Sequence, residues 1–173
     1  MAARLEDRQG GAQEESDFVL WESNAIAQYL ASKRPEFGLL PKDERARLDV
    51  ARWQFWDLAH WGPACAAFAF EYVVKPALGI GAPDPAAIER AREPFHAVAR
   101  VLDGQLRGRR YVTADALTLA DFSLGAAMNL AEMAHYPTEP YAEIRRWHAS
   151  LLALPAWKKT LAQAAPPSAA AAA

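Results

Sequence analysis

Glu22-Ser23 is the pair in this chain whose types and position could do chemistry. It stands where an apolar run, Phe18-Val19-Leu20-Trp21, gives way to a segment with Ala25, Ile26, Tyr29 and Leu30 along one helical side. Ser23 falls where an N-cap belongs, so its hydroxyl and the first N–H groups of the helix would face back toward the preceding strand. Free N–H groups, a hydroxyl and the positive end of a helix dipole together make a seat for a carboxylate or phosphate. Glu22 beside it could hold an ammonium, so a ligand carrying both groups, such as an amino-acid end, would fit. The plain alternative is a helix cap next to a solvated charge.

The second chemical feature is aromatic. Lys42-Asp43-Glu44 opens a long helix, predicted over 42–61, with acids in its first turn. Leu48, Ala51, Phe55, Leu58, Ala59 and Gly62 form one stripe at core spacing. A second stripe, Asp49, Trp53, Trp56, His60 and Ala64, offers an aromatic face to a ligand or partner. A histidine in such a stripe is more often a satisfied core residue than a substrate contact.

Other arrangements fail on spacing. His60, His96, His135 and His148 show no i, i+4 pairing and no carboxylate at ligand spacing, so no zinc site is expected. Ser123-x-Gly125 lacks the glycine of a nucleophile elbow, and Gly79-x-Gly81 follows no strand and lacks the third glycine of a dinucleotide loop. Arg107, Arg109 and Arg110 complement the negative end of a helix dipole more simply than they bind an anion. Cys65, the sole cysteine, excludes an internal disulfide, reads as a small core residue and makes a reducing, cytoplasmic setting the default. A formal charge of −2 over 173 residues gives no field for nucleic acid or anionic lipid. No apolar run reaches the roughly eighteen residues of a membrane span.

The elements that must position these residues are almost all helical. Pro35 ends the first helix near Lys33. Gly62-Pro63 must kink or interrupt the long helix, and Pro76 ends its continuation. Asp84-Pro85 starts a helix on Ile88, Ala91, Phe95, Val98, Ala99, Leu102 and Leu106, with Gly108 just past its end. Leu117-Thr118-Leu119-Ala120-Asp121-Phe122 is the strongest local signal. Thr118 and Asp121 make a capping box, and Leu117 and Phe122 a hydrophobic staple, at the head of a buried helix expected to reach about Met133. Tyr141–Ala153 and a short helix from Pro155 follow. Residues 1–16 read as loop or disordered, with Arg4-Leu5-Glu6-Asp7 a weak strand tail, and 165–173 as a disordered tail. The strand at 18–21 therefore has no convincing partner, which would leave its backbone groups unpaired.

Leu20-Trp21-Glu22-Ser23-Asn24-Ala25-Ile26-Ala27-Gln28-Tyr29-Leu30 resembles the end of the thioredoxin-like half of cytosolic glutathione S-transferases. There a strand runs into a Glu-Ser turn that holds the γ-glutamyl end of glutathione. The 117–122 box and staple are similar to those at the start of that family's core helix. Trp53-Gln54-Phe55-Trp56-Asp57-Leu58-Ala59-His60 is similar to the helix lining its hydrophobic-substrate pocket.

The wording is nearest to bacterial theta- or phi-like members. The resemblance implies a mainly α fold, the all-helical C-terminal domain over 42–164, preceded over 17–36 by the last strand and helix of a thioredoxin-like domain. It implies glutathione as co-substrate on Glu22 and Ser23, and no metal. A small hydrophobic electrophile would lie against Trp53, Trp56 and His60, in a homodimer. The family's thiol-activating residue and cis-proline have no counterpart here, so the chain looks N-terminally truncated and its conjugating activity is expected to be slight. The competing expectation is a non-catalytic helical module that binds a partner through the aromatic face of the 42–61 helix.

Overall fold

Two prolines set the form of the longest helix. In the computed structural model, which describes residues 3–4, 19–113 and 116–164, helical residues run unbroken from Glu44 to Leu78. They divide into α2 (Glu44–Trp56), a π-helical turn (Asp57–Trp61), α3 (Gly62–Ala69), a second π-helical turn (Phe70–Val74) and α4 (Lys75–Leu78). Pro63 and Pro76 have no N–H to donate, and each ring crowds the carbonyl one turn back. The chain relieves this by widening the turn before each one. Gly62 N–H bonds the Asp57 carbonyl and Lys75 N–H bonds the Phe70 carbonyl, both five residues back. A Cβ on Gly62 would stand 3.2 Å from that Asp57 carbonyl oxygen, so the tight first turn favours glycine there. The disturbance expected at Gly62-Pro63 takes the form of the first π turn, whereas Pro76, expected to end the helix, lies inside it.

The expected core stripe of this helix is overturned. Leu48, Phe55 and Leu58 are 64%, 70% and 51% exposed, and the buried side is Val50, Trp53, Gln54, Trp61 and Ala64. The neighbours decide this: α2 packs on α6 (Leu119–Ala127) and α3 on α5 (Pro85–Leu106), which cover the other side. The Trp61 indole N–H donates to the Leu124 carbonyl at 3.1 Å and its ring lies 5.5 Å from that of Phe95, so Trp61 joins rod to core.

α5 begins as expected, with the Asp84 carboxylate accepting from Ala86 N–H at 2.9 Å, and Gly108 follows its end with φ 69°. The Arg146 guanidinium donates to the last carbonyl of α5, that of Leu106, and to the carbonyl of Arg109 just beyond it, while Arg107, Arg109 and Arg110 are exposed. At the head of α6 the capping box closes: Thr118 N–H donates to Asp121 Oδ2 at 3.0 Å. Asp121 is fully buried, and its other oxygen accepts from Val112 N–H and from the Trp147 indole. Burial pushes its carboxyl above the ordinary 3.8, against the pull of these donors.

α6 ends at Ala127, short of the expected Met133, because Met128–Leu130 tightens into a 3₁₀ turn and the chain reverses at His135, whose φ is 51°. α7 (Ala142–Leu152) is capped from α5, the Asp103 carboxylate accepting from Glu143 and Ile144 N–H at 3.0 and 3.2 Å. α8 (Pro155–Ala164) closes the bundle. Gly125 lets α6 meet both, since a Cβ there would lie 2.6 Å from Leu151 and 2.8 Å from Trp157.

The fold is thus mainly α, with one small addition. β1 (Ala3–Arg4) pairs antiparallel with β2 (Val19–Leu20), Ala3 opposite Leu20 and Arg4 opposite Val19. The strand expected to stand alone has a partner, and Arg4 of the supposed strand tail is in it. Trp21 is outside the strand and exposed. The rest of the expected 1–16 loop, Phe18 and the 165–173 tail lie outside the described residues.

Candidate functional site

α1 (Ser23–Lys33) starts from an uncommon backbone. The cap residue is Glu22, with φ 72° and ψ 119°, and Ser23 is already the first helical residue, so the expected Ser23 side-chain cap is replaced by a cap without a side-chain hydrogen bond. Positive φ in a residue with a Cβ is sterically expensive, on the order of 1–3 kcal/mol, and such strain persists where the surroundings enforce it. Ser23 behind Glu22 is exposed, the first N–H groups of an α-helix have no acceptor within the helix, and the Glu22 carbonyl accepts from Ile26 N–H at 3.0 Å.

A polar cluster that the sequence did not announce holds α1 in place. Gln54, buried on α2, accepts at Oε1 from the Gln28 amide at 2.7 Å and donates to Asn24 Oδ1 at 3.3 Å and Ser123 Oγ at 3.2 Å. Ser123 in turn donates to Asn24 Oδ1 at 2.6 Å. Three helices are thereby fixed around the start of α1. The available signal was a glutamine flanked by Trp53 and Phe55, a polar residue in an apolar stretch.

Beside this cluster lies a cavity of about 260 Å³, bounded by Ser23, Asn24 and Ala27 of α1, by Phe122, Ser123 and Ala126 of α6, by Asp57 of the first π turn and by Gly62 at the start of α3. One carboxylate oxygen of Asp57 is buried with no hydrogen-bond partner, and burial raises its carboxyl from 3.8 to about 6. Cys65 is buried too. Burial first, and the Asp57 charge second, push its thiol well above its usual range, which suits the core residue expected and not a nucleophile.

The structure does not bring the expected aromatic face together as one surface. Trp53 is 4% exposed and belongs to the core, Trp56 is half-buried and His60 is exposed. Trp53 meets Trp56 edge-on at 5.1 Å, and Trp56 stacks toward Trp61 at 6.4 Å and lies 6.0 Å from the His60 ring. Of these three, Trp56 and His60 are the ones that keep surface open to solvent. Among the described residues no group of His, Cys, Asp and Glu could hold a metal ion, and no helix is long and apolar enough to cross a membrane.

Comparison with known proteins bears on this geometry. The family model for the glutathione S-transferase C-terminal domain matches residues 85–150. A glutathione S-transferase of Hyoscyamus muticus is 31% identical over 154 residues, covering 86% of this chain and 71% of the relative. Glutathione S-transferase 3 of Zea mays is 34% identical over 156 residues, covering 86% of this chain and 68% of the relative. The chain belongs to the glutathione S-transferase family.

Solved structures of glutathione S-transferases share its fold. One is glutathione S-transferase-I bound with lactoylglutathione, at TM-score 0.76 and 26% identity over 84% of this chain and 70% of that one. Another is a glutathione S-transferase of Rhodospirillum rubrum, at TM-score 0.76 and 25% identity over 87% and 68%. The capping box at Thr118 and Asp121 falls inside the matched transferase domain, while Glu22 and Ser23 precede it.

Proposed function

We propose that this transferase-family chain binds glutathione at the start of α1. The γ-glutamyl carboxylate is received by the Ser23 hydroxyl and the first N–H groups of the helix, with Glu22 beside it for the ammonium. The observation that carries this reading is the backbone of Glu22, held at φ 72° directly before an exposed Ser23 at the start of α1, with no side-chain cap on the helix. A small hydrophobic electrophile is assigned to the Trp56–His60 rim, and a homodimer in a reducing, cytoplasmic setting to the working protein. Of the remnant division, 17–36 carries the glutathione seat and 42–164 the helical domain behind it.

The family reaction joins the glutathione thiolate to the electrophile, and its hard step is making the thiolate. We assign no residue of this chain to that step: Cys65 is buried and its thiol is pushed up, not down. Residues 1–173 alone are therefore expected to bind glutathione and conjugate it slowly.

Calorimetric titration with glutathione tests the seat. Saturable binding that Ser23→Ala weakens about tenfold, the loss of one charge-assisted hydrogen bond, supports it. Absence of binding, or binding indifferent to Ser23→Ala, refutes it. Conjugation of an aromatic halide at an ordinary enzymatic rate would refute the assignment of slow chemistry.

A further inference from the structure

Among the described residues the buried polar side chains are Gln54, Glu71, Thr118 and Asp121. Thr118 and Asp121 serve the capping box, and Glu71 accepts from Lys75 and from the Asp84 N–H at 2.8 and 2.7 Å. Of the four, Gln54 is the one that bonds to α1. Its Oε1 accepts from the Gln28 amide, its Nε2 donates to Asn24 Oδ1, and its backbone carbonyl accepts from Asn24 Nδ2 at 3.4 Å. A buried amide costs free energy unless both of its ends are met, and here α1 meets both.

We infer that Gln54 is the positioning residue of the glutathione seat: through Asn24 and Gln28 it sets the rotation of α1, and with it the place of Ser23 and the first N–H groups. This deepens the proposed glutathione binding and rests on it. Gln54 itself touches no group of the seat and acts through its two partners.

Asn24 and Gln28 are four residues apart, on one face and one turn from each other. A helix gripped at two levels of one face can neither roll nor tilt freely. Ser23 precedes Asn24 by one residue, about 100° around the helix. A roll of ~20° would carry a group ~4 Å from the axis through ~1.4 Å, enough to lose a hydrogen bond. Apolar packing does not supply this control, because Ala31, two turns beyond Asn24, is the only buried residue of α1. Ser123 holds the same point from α6: its hydroxyl donates to Asn24 Oδ1 at 2.6 Å and accepts from Gln54 Nε2 at 3.2 Å. The rotation of α1 is therefore referred to α2 and α6 together.

The test is calorimetric titration of residues 1–173 with glutathione, alongside melts followed by circular dichroism. Gln54→Met keeps the volume and removes both ends of the amide, and should weaken glutathione about tenfold, the loss of one well-aligned hydrogen bond. Ser123→Ala, the milder variant should Gln54→Met not fold, keeps Gln54 and should weaken it about threefold. Ile144→Val, a core change on α7, separates position from stability: it should lower the melting temperature and leave the glutathione affinity unchanged. The effect should also run through Ser23, so Gln54→Met combined with Ser23→Ala should fall well short of the roughly hundredfold loss of two independent sites. No saturable binding by the unaltered chain, or binding indifferent to Ser23→Ala, overturns the seat and this role with it. Binding that needs Ser23 yet ignores both Gln54→Met and Ser123→Ala, or weakens equally in Ile144→Val, or loses the full product in the double variant, overturns the role of Gln54 and leaves the seat standing.

Discussion

The Asp121 carboxylate and the Trp147 indole meet at 2.9 Å, fastening the start of α6 to the middle of α7. The same carboxylate takes Val112 N–H at 2.9 Å, Thr118 N–H at 3.0 Å and the Thr118 hydroxyl at 3.2 Å. Asp121→Ala would leave buried donors from three segments without an acceptor, at about 1–3 kcal/mol each before relaxation. We expect a loss of at least about 3 kcal/mol in thermal or urea unfolding. A loss below about 1 kcal/mol would show that water replaces the carboxylate.

Asp57 gives the fold a dependence on pH. Its carboxyl titrates near 6 when folded and near 3.8 in an ordinary setting, so the folded state holds the proton more tightly. The stability associated with this group is fully present below about pH 3.8 and is lost as pH rises through about 6. Because the side chain is partly open to solvent, the swing is set at about 1 kcal/mol. Asp57→Asn should flatten it and be the more stable protein at pH 7.5. Identical pH–stability curves for the two proteins would contradict this origin.

The backbone of Glu22 can be probed apart from its side chain. Glycine tolerates φ 72°, whereas alanine keeps the steric penalty without the carboxylate. Glu22→Gly should therefore melt as the more stable of the two variants, by about 1 kcal/mol. Equal stability of Glu22→Gly and Glu22→Ala would mean that the conformation is not strained.

One substitution should act with opposite sign at two glycines. Gly125→Ala drives a methyl into Leu151 and Trp157 and should cost about 1–3 kcal/mol. Gly104→Ala, on α5 with nothing within 4 Å of the new methyl, should stabilise by about 0.5–1 kcal/mol through helix propensity. Paired melts decide it, and a destabilised Gly104→Ala would require a contact not accounted for.

Local chemistry was legible in the sequence, and the direction a helix faces was not. The 118–121 box, the Asp84 cap, Gly108 and the end of α1 at Lys33 follow from residues within a turn of one another. The stripe on Leu48, Phe55 and Leu58 has correct core spacing, yet spacing cannot say which of two apolar sides the neighbours will cover. The Gln54 cluster depends on Asn24 and Ser123, which lie 30 and 69 positions away, and no local pattern reports such a meeting. The strand pairing failed for a similar reason, because two residues at Ala3–Arg4 are too few to register as a strand. At the candidate site the Glu-Ser pair was visible, and its reversed cap and the orphaned Asp57 oxygen were not.

The π turns before Pro63 and Pro76 have a consequence for how this chain can change in length. A π turn holds one more residue than an α turn in the same rotation. Each is thus a slot where a residue can be removed while everything on its C-terminal side keeps its angular position. Deleting one residue from Asp57–Trp61, with Pro63 replaced, should leave Cys65, Phe68 and Ala69 facing the core as before. The same deletion inside α2 would rotate all of them by about 100° and unmake the packing. Gain and loss of single residues can be absorbed at these two turns.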